Sequence, residues 1–295
     1  MEETRSMKKR IIKIAVSIFL TVAVVVSGVG CARKIARENK TLEIDEYVVE
    51  SERLPSAFNG YKIAQVSDLH NVEFGENNEG LLSALSSVNA DAIVLTGDLV
   101  DSRKTNVEKA LQFVEAVVKI APTYYVTGNH ESRISEYLDL KSGLLSHGVM
   151  VLENQTATVE KNGEYIRFIG LQDPAFTQKG QAKNAEKAYV ETQLSAFALG
   201  EEYAILLSHR PEFFEVYAEY KADLVFSGHA HGGQFRIPKI GGLFAPNQGF
   251  LPKYDAGKFE KGQTTMFVSR GLGNSLFPFR INNPPEIIVT TLKKK

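Results

Sequence analysis

Tyr61-Lys62-Ile63-Ala64-Gln65-Val66-Ser67-Asp68-Leu69-His70 is the stretch on which the fold turns: an apolar run rich in strand formers that stops at small polar residues and potential metal ligands. The same grammar returns four times. Ala92-Ile93-Val94-Leu95 leads into Thr96-Gly97-Asp98, and Tyr124-Tyr125-Val126 into Thr127-Gly128-Asn129-His130-Glu131. Tyr203 to Leu207 leads into Ser208-His209, and Leu224-Val225-Phe226 into Ser227-Gly228-His229-Ala230-His231. Runs of this length and composition predict strands. Arg167-Phe168-Ile169-Gly170 reads as a further strand, and Thr264 to Ser269 and Glu286 to Leu292 as two more near the carboxyl end. Between them, Val107, Ala110, Leu111, Val114, Val117 and Val118 recur at helical spacing behind Thr105-x-x-Glu108, which reads as a capping box. Helices are also expected near 78–88, 132–146, 184–198 and 211–220, with Pro211 in a first turn, where its missing N–H costs nothing. Alternating strands and helices make the chain an α/β protein.

The residues just past each strand carry the chemistry. In α/β sheets ligands bind beyond the carboxyl ends of the strands, so five such ends converge on one place. Each residue alone has an ordinary reading: a helix cap, a turn, a core or surface histidine. The concentration does not. Five of the six histidines lie in these segments, and only His147, read as a helix-end residue, falls elsewhere. Asp68/His70 and His229/His231 are spaced i, i+2, which in extended chain aims both side chains of a pair at a common point. The glycines before Asp98, Asn129 and His229 permit sharp turns and close backbone approach. Cys31 is the only cysteine, which excludes an internal disulfide and a thiolate-built zinc site, so a metal here would be held by His, Asp, Glu or Asn.

The 295 residues, 43% hydrophobic and 23% charged, have the composition of a folded protein with a large core. Its charge is uneven. Residues 1–40 carry nine Lys/Arg against Glu2, Glu3 and Glu38, and a total of −1 leaves −7 for residues 41–295. An acidic folded part argues against nucleic-acid binding, which needs a basic surface to displace counterions from phosphate. The chain divides into a basic tail over 1–10, an apolar segment over 11–30 broken only by Lys13, a linker over 31–45 and one folded domain over 46–295. Ile14–Gly30 would make a helix of about 26 Å, and Ile11, Ile12 and a snorkelling Lys13 extend it towards the roughly 30 Å of a hydrocarbon core. A first segment usually enters amino end inside, so the expected product is a single-pass cell-membrane protein with its folded domain outside the cytoplasm. A cleaved signal peptide fits the same stretch, given Ser27, Gly28 and Gly30. Gly28-Val29-Gly30-Cys31 also loosely resembles a bacterial lipobox, in which the cysteine is lipidated.

Asp68-x-His70, Gly97-Asp98, Gly128-Asn129-His130-Glu131, a lone His209 and Gly228-His229-x-His231, in that order, resemble the signature of the calcineurin-like metallophosphoesterases. The likeness covers about Tyr61 to Gln234. Gly232-Gly233-Gln234 and Ser269-Arg270-Gly271-Leu272-Gly273 further resemble the membrane-anchored bacterial branch, and Ala230 departs from the threonine common there. The resemblance implies a layered α-β-β-α sandwich preceded by one amino-terminal transmembrane helix. It also implies two metal sites, Asp68, His70, Asp98 and His231 at one, Asp98, Asn129, His209 and His229 at the other, with Asp98 bridging. A donor set of imidazole, carboxylate and amide suits Mn²⁺, Fe or Zn²⁺ better than Ca²⁺. Two such ions clamp a phosphate and generate a bridging hydroxide for in-line attack.

By the same resemblance His130 is the catalytic residue, a non-ligand that stabilises the phosphoryl oxygens or protonates the leaving group. Glu131 either orients His130 or starts the next helix. Arg236, Arg270 and Arg280 could reach a second phosphate, or sit on the surface. Phe244, Phe250, Leu251, Phe277 and Phe279 could form an apolar lip for acyl chains, although aromatics of this kind are more often core. The resemblance points to a phosphodiester or pyrophosphate bond of a lipid-linked, membrane-associated substrate. A phosphoprotein, a cyclic nucleotide and a degenerate metal-dependent scaffold are the alternatives.

Overall fold

The computed structural model describes Gly30 and residues 33–177, 183–275 and 277–295. The expected membrane segment over 11–30, apart from Gly30, and Cys31 lie outside the described residues. Among the described residues no helix is long and apolar enough to cross a membrane.

The apolar runs become the inner strands of two sheets. In chain order they are β1 (Glu43–Ser51), β2 (Lys62–Val66), β3 (Ala92–Thr96), β4 (Thr123–Val126), β5 (Met150–Val151), β6 (Gln155–Lys161), β7 (Glu164–Gly170), β8 (Tyr203–Leu207) and β9 (Leu224–Ser227). Two short hairpins come next, β10 (Arg236–Ile237) with β11 (Gly241–Gly242) and β12 (Phe244–Ala245) with β13 (Gly249–Phe250). Then come β14 (Gly257–Lys261), β15 (Thr264–Val268) and β16 (Glu286–Lys294). One six-stranded sheet runs β1-β16-β2-β3-β4-β5 and the other β14-β15-β9-β8-β7-β6. Strands β2 to β5 are mutually parallel, as are β7, β8, β9 and β15.

Both faces of each sheet are covered, which is why the inner strands read as unbroken apolar runs. Ala92 and Val94 of β3 face Phe168, Ile205 and Phe226 of the other sheet in a shared core. Their neighbours Ile93 and Leu95 face the opposite way, onto α1 (Glu79–Ser87), α2 (Val107–Val117) and α3 (Tyr137–Ser146). On the outer face of the second sheet, Ala204, Leu206 and Val225 pack on α4 (Lys183–Ala196) and α5 (Phe214–Glu219). The result is the four-layered α-β-β-α arrangement. Gln65, fully buried, ties the layers together beneath the strand ends by donating to Thr96 Oγ1 at 2.9 Å and to the Ser227 carbonyl at 2.8 Å.

Several local expectations are corrected. The stretch 31–45 is not simply a linker: 33–38 is helical, and β1 starts at Glu43, pairing along its whole length with β16. The cap of α2 is Asn106, whose side chain accepts from the Lys109 N–H at 2.8 Å; Thr105 instead spends its hydroxyl on the Asp101 carbonyl at 3.2 Å. Helix α3 begins at Tyr137, because Glu131–Arg133 forms a separate 3-10 turn. Pro211 opens a 3-10 turn over Pro211–Phe213 that leads into α5, and His147 caps the end of α3.

Candidate metal centre

Strands β2, β3, β4, β8 and β9 end side by side, and the residues after each form the floor of one cleft. The loops are stitched to one another through their backbones. Asp68 N–H donates to the Gly97 carbonyl and His70 N–H to the Asp98 carbonyl, both at 3.0 Å; Gly228 N–H donates to the His209 carbonyl at 3.1 Å. The glycines are required chiefly by crowding. Gly97 has φ +88° and packs on Gly128, where a Cβ would meet backbone atoms at 2.6 and 2.7 Å, while a Cβ at Gly228 would overlap Ser67 Oγ and Asp68 Oδ2.

The i, i+2 pairs do not sit on extended chain. Asp68 (φ 52°), His70 (φ 49°), Asp98 (φ 52°), His229 (φ 66°) and His231 (φ 49°) are all left-handed, a conformation that costs a non-glycine residue of order 1–3 kcal/mol. The turn, rather than the strand pleat, aims these side chains. Asp68, His70, Asp98 and His231 offer donor atoms all within 4.8 Å of one another, and Asp98, His209 and His229 do the same. His229 and His231 are thus divided between two groups instead of sharing one target, and Asp98 belongs to both. One oxygen does this: Asp98 Oδ2 lies 3.7 Å from His70 Nε2 and 3.3 Å from His209 Nε2.

The donor set fits cations on three observations. Asn129 Oδ1 is buried without a partner. Imidazole nitrogens face one another across short gaps, His70 Nε2 to His231 Nε2 and His209 Nε2 to His229 Nδ1, each at 3.2 Å. Backbone carbonyls hold the far side of two rings, His209 Nδ1 at 2.7 Å from Thr96 O and His231 Nδ1 at 3.3 Å from Gly273 O, which turns each Nε2 towards the cleft. Burial alone would raise the Asp68 carboxyl, but His231 and His209 outweigh it and hold it at about 2. Burial pushes His70 down to about 3, leaving a neutral imidazole with a free lone pair. Burial would lower His209 as well, yet the carboxylates of Asp98 and Asp68 hold it up at about 10.

His130 lines a cavity of about 340 Å³ together with Asp98, Asn129, His229 and His231. The Ser102 N–H donates to its Nδ1 at 3.0 Å, so the ring proton sits on Nε2, 3.9 Å from Asp98 Oδ2. Glu131 opens a 3-10 turn, which is part of one expected role, and has a further one. Its buried carboxylate accepts from the N–H groups of Gly128 (2.8 Å), Leu99 (2.8 Å), Asp98 (3.0 Å) and Val100 (3.4 Å), clamping two ligand-bearing loops together.

The arginines singled out from the sequence face elsewhere. Arg270 pairs with Glu43, Asp45 and Glu286, Arg236 with Asp255, and Arg280 is buried, donating to the carbonyls of Arg270 and Gly273. Arg280 thereby holds the same carbonyl that orients His231. The cationic residues lining the cavity are Arg103, Arg133 and Arg210, none of which the motifs indicated. Arg210 is held by Asp173, Nε to Oδ2 at 2.6 Å and Nη2 to Oδ1 at 2.9 Å, while Nη1 lies 3.5 Å from both Glu212 Oε1 and His229 Nε2. Its position directly after His209 was the available signal; Asp173, in a loop 37 residues upstream, had none. Of the suspected apolar lip, Phe250, Leu251, Phe277 and Phe279 are exposed and only Phe244 is half-buried, so these residues are not core.

A model of calcineurin-like phosphoesterases matches residues 61–233. The chain is 30% identical over 276 residues, 90% of each protein, to the uncharacterized metallophosphoesterase YkuE of Bacillus subtilis. It is 29% identical over 242 residues to the phosphodiesterase YaeI of Escherichia coli, covering 79% of this chain and 82% of that one. The crystal structure of TT1561 of Thermus thermophilus shares the fold, with a TM-score of 0.50 at 17% identity over 72% of this chain and 91% of that one. With its ordered motif blocks gathered into one cleft, the chain belongs to the calcineurin-like phosphoesterase family and is a metal-dependent hydrolase of phosphoric esters.

Proposed function

We propose that the protein hydrolyses a phosphodiester or pyrophosphate bond of a membrane-associated, lipid-linked substrate, using two divalent ions. The observation that carries the metal reading is the pair of donor groups sharing Asp98. Asp68, His70, Asp98 and His231 would hold one ion and Asp98, Asn129, His209 and His229 the other, with Mn²⁺, Fe or Zn²⁺ suited to such donors. When bound, the ions supply Lewis acidity and a water of lowered pKa. His130, carrying its proton on Nε2, donates to the phosphoryl group or to the leaving oxygen as the P–O bond breaks. Arg210, fixed by Asp173, brings a guanidinium to the wall where negative charge develops.

The lipid part of the reading rests on the apolar stretch Ile14–Gly30 and on the exposed Phe250, Leu251, Phe277 and Phe279. A domain tethered at a membrane meets membrane substrates at high effective concentration. The test is a substrate panel with the full chain in nanodiscs and Mn²⁺: a prenyl or acyl pyrophosphate, a phosphopeptide and a cyclic nucleotide. The lipid pyrophosphate should give the highest kcat/KM; a preference for either of the others would sink the lipid assignment.

A further inference from the structure

Beside the polar cavity lies a second, larger one of about 930 Å³, near the upper end of small-molecule sites, and its character is the opposite. Ile35, Leu42, Val72, Phe74, Pro278 and Phe279 give it a mainly apolar lining. Its walls are continuations of the ligand loops. Val72 and Phe74 follow His70 within four residues, and Pro278 and Phe279 follow Gly273, whose N–H donates to the Asp68 carbonyl at 2.6 Å and whose carbonyl receives His231. Successive residues line the two cavities, Asn274 the apolar one and Ser275 the polar one. The third wall is the helical stretch 33–38, which in sequence lies two residues after the apolar segment Ile14–Gly30.

We propose that this cavity is the binding site for the hydrocarbon chain of the substrate, with the phosphoester reaching over Asn274 and Ser275 into the metal cleft. The inference rests on the lipid-linked reading above and adds a place and a chemistry to it. An aliphatic chain is the occupant because the cavity is mainly apolar, adjoins the phosphoester cleft, and is walled by the residues nearest the apolar amino-terminal segment. Of its charged lining residues, Glu73 is neutralised by Lys109 at 2.6 Å.

Two synthetic esters decide it, methyl and dodecyl p-nitrophenyl phosphate, each below its micelle concentration, with the full chain in nanodiscs and Mn²⁺. The wild type should hydrolyse the dodecyl ester with at least about tenfold higher kcat/KM. Ala36→Trp, placed on the helical wall and away from the cleft, should abolish that preference while leaving the methyl ester rate unchanged. Equal rates on both esters in the wild type, the result expected if the chain's own residues fill the cavity, would overturn the proposal, as would a preference untouched by Ala36→Trp. Failure to hydrolyse either ester would count against the hydrolytic reading instead. The cavity would then be judged by calorimetry with dodecyl phosphate, whose binding must weaken about tenfold in Ala36→Trp and must not be matched by methyl phosphate.

Discussion

Asp98 puts one carboxylate oxygen between His70 and His209, and no other side chain among the described residues belongs to both donor groups that share it. His130 stands next to that oxygen with its tautomer set by the Ser102 N–H, which gives it a proton to donate and no lone pair on Nε2. Replacement by glutamine should therefore cost on the order of 10²–10⁴-fold in kcat on esters with poor leaving groups and distinctly less on p-nitrophenyl esters, where the departing oxygen needs no proton. A loss equal across a leaving-group series would contradict the donor role. At this scale the sequence places Asp and His at the five left-handed positions, residue types that tolerate that backbone better than other non-glycine residues. It misjudged the geometry. An i, i+2 spacing says nothing about φ, and the division of His229 from His231 follows from the turn between them.

The elements show why some strands were legible and others were not. Strands β2, β3, β8 and β9 are buried on both faces and announce themselves as apolar runs. The edge strands β1, β6 and β14 have one or no fully buried residue, so their sequences are mixed and carry no strand signal of that kind. Between elements, Glu131 is the clamp: removing its carboxylate in Glu131→Ala leaves four buried N–H groups unsatisfied. Denaturant unfolding should show a loss of roughly 3 kcal/mol or more. A second device joins α5 to the β14/β15 hairpin, where Glu215 accepts from Tyr254 and Lys253, each at 2.7 Å, and pairs with Lys261. Hydrogen bonds from Lys253, Lys261 and Tyr254 hold its carboxyl at about 2. Because the folded pKa is depressed, the contribution is present above the unfolded value of 4.5 and is lost as pH falls through 2. Solvent screening keeps it below about 1 kcal/mol, so the stability difference between wild type and Glu215→Gln should be small at pH 7 and vanish towards pH 2.

Across the whole molecule, the two sheets place five strand ends around a cleft that buries carboxylates beside imidazoles. The long-range partners of that cleft, Asp173 on Arg210 and Arg280 on Gly273, were illegible because each depends on a tertiary contact between single residues with no motif of their own. Each ion, present at 100-fold above its dissociation constant, would add roughly 2.7 kcal/mol to folding, so a chelator should lower the melting temperature of the wild type and leave Asp98→Asn nearly unmoved. The central claim is that the shared Asp98 builds a hydrolytic metal centre. It is tested most directly by metal counting and bis(p-nitrophenyl) phosphate hydrolysis on the same purified full-length samples, with and without Mn²⁺, wild type beside Asp98→Asn. The account predicts two ions per chain and metal-dependent hydrolysis in the wild type, with both lost in the variant while its circular dichroism is unchanged. A folded Asp98→Asn that keeps both ions and the activity would contradict it.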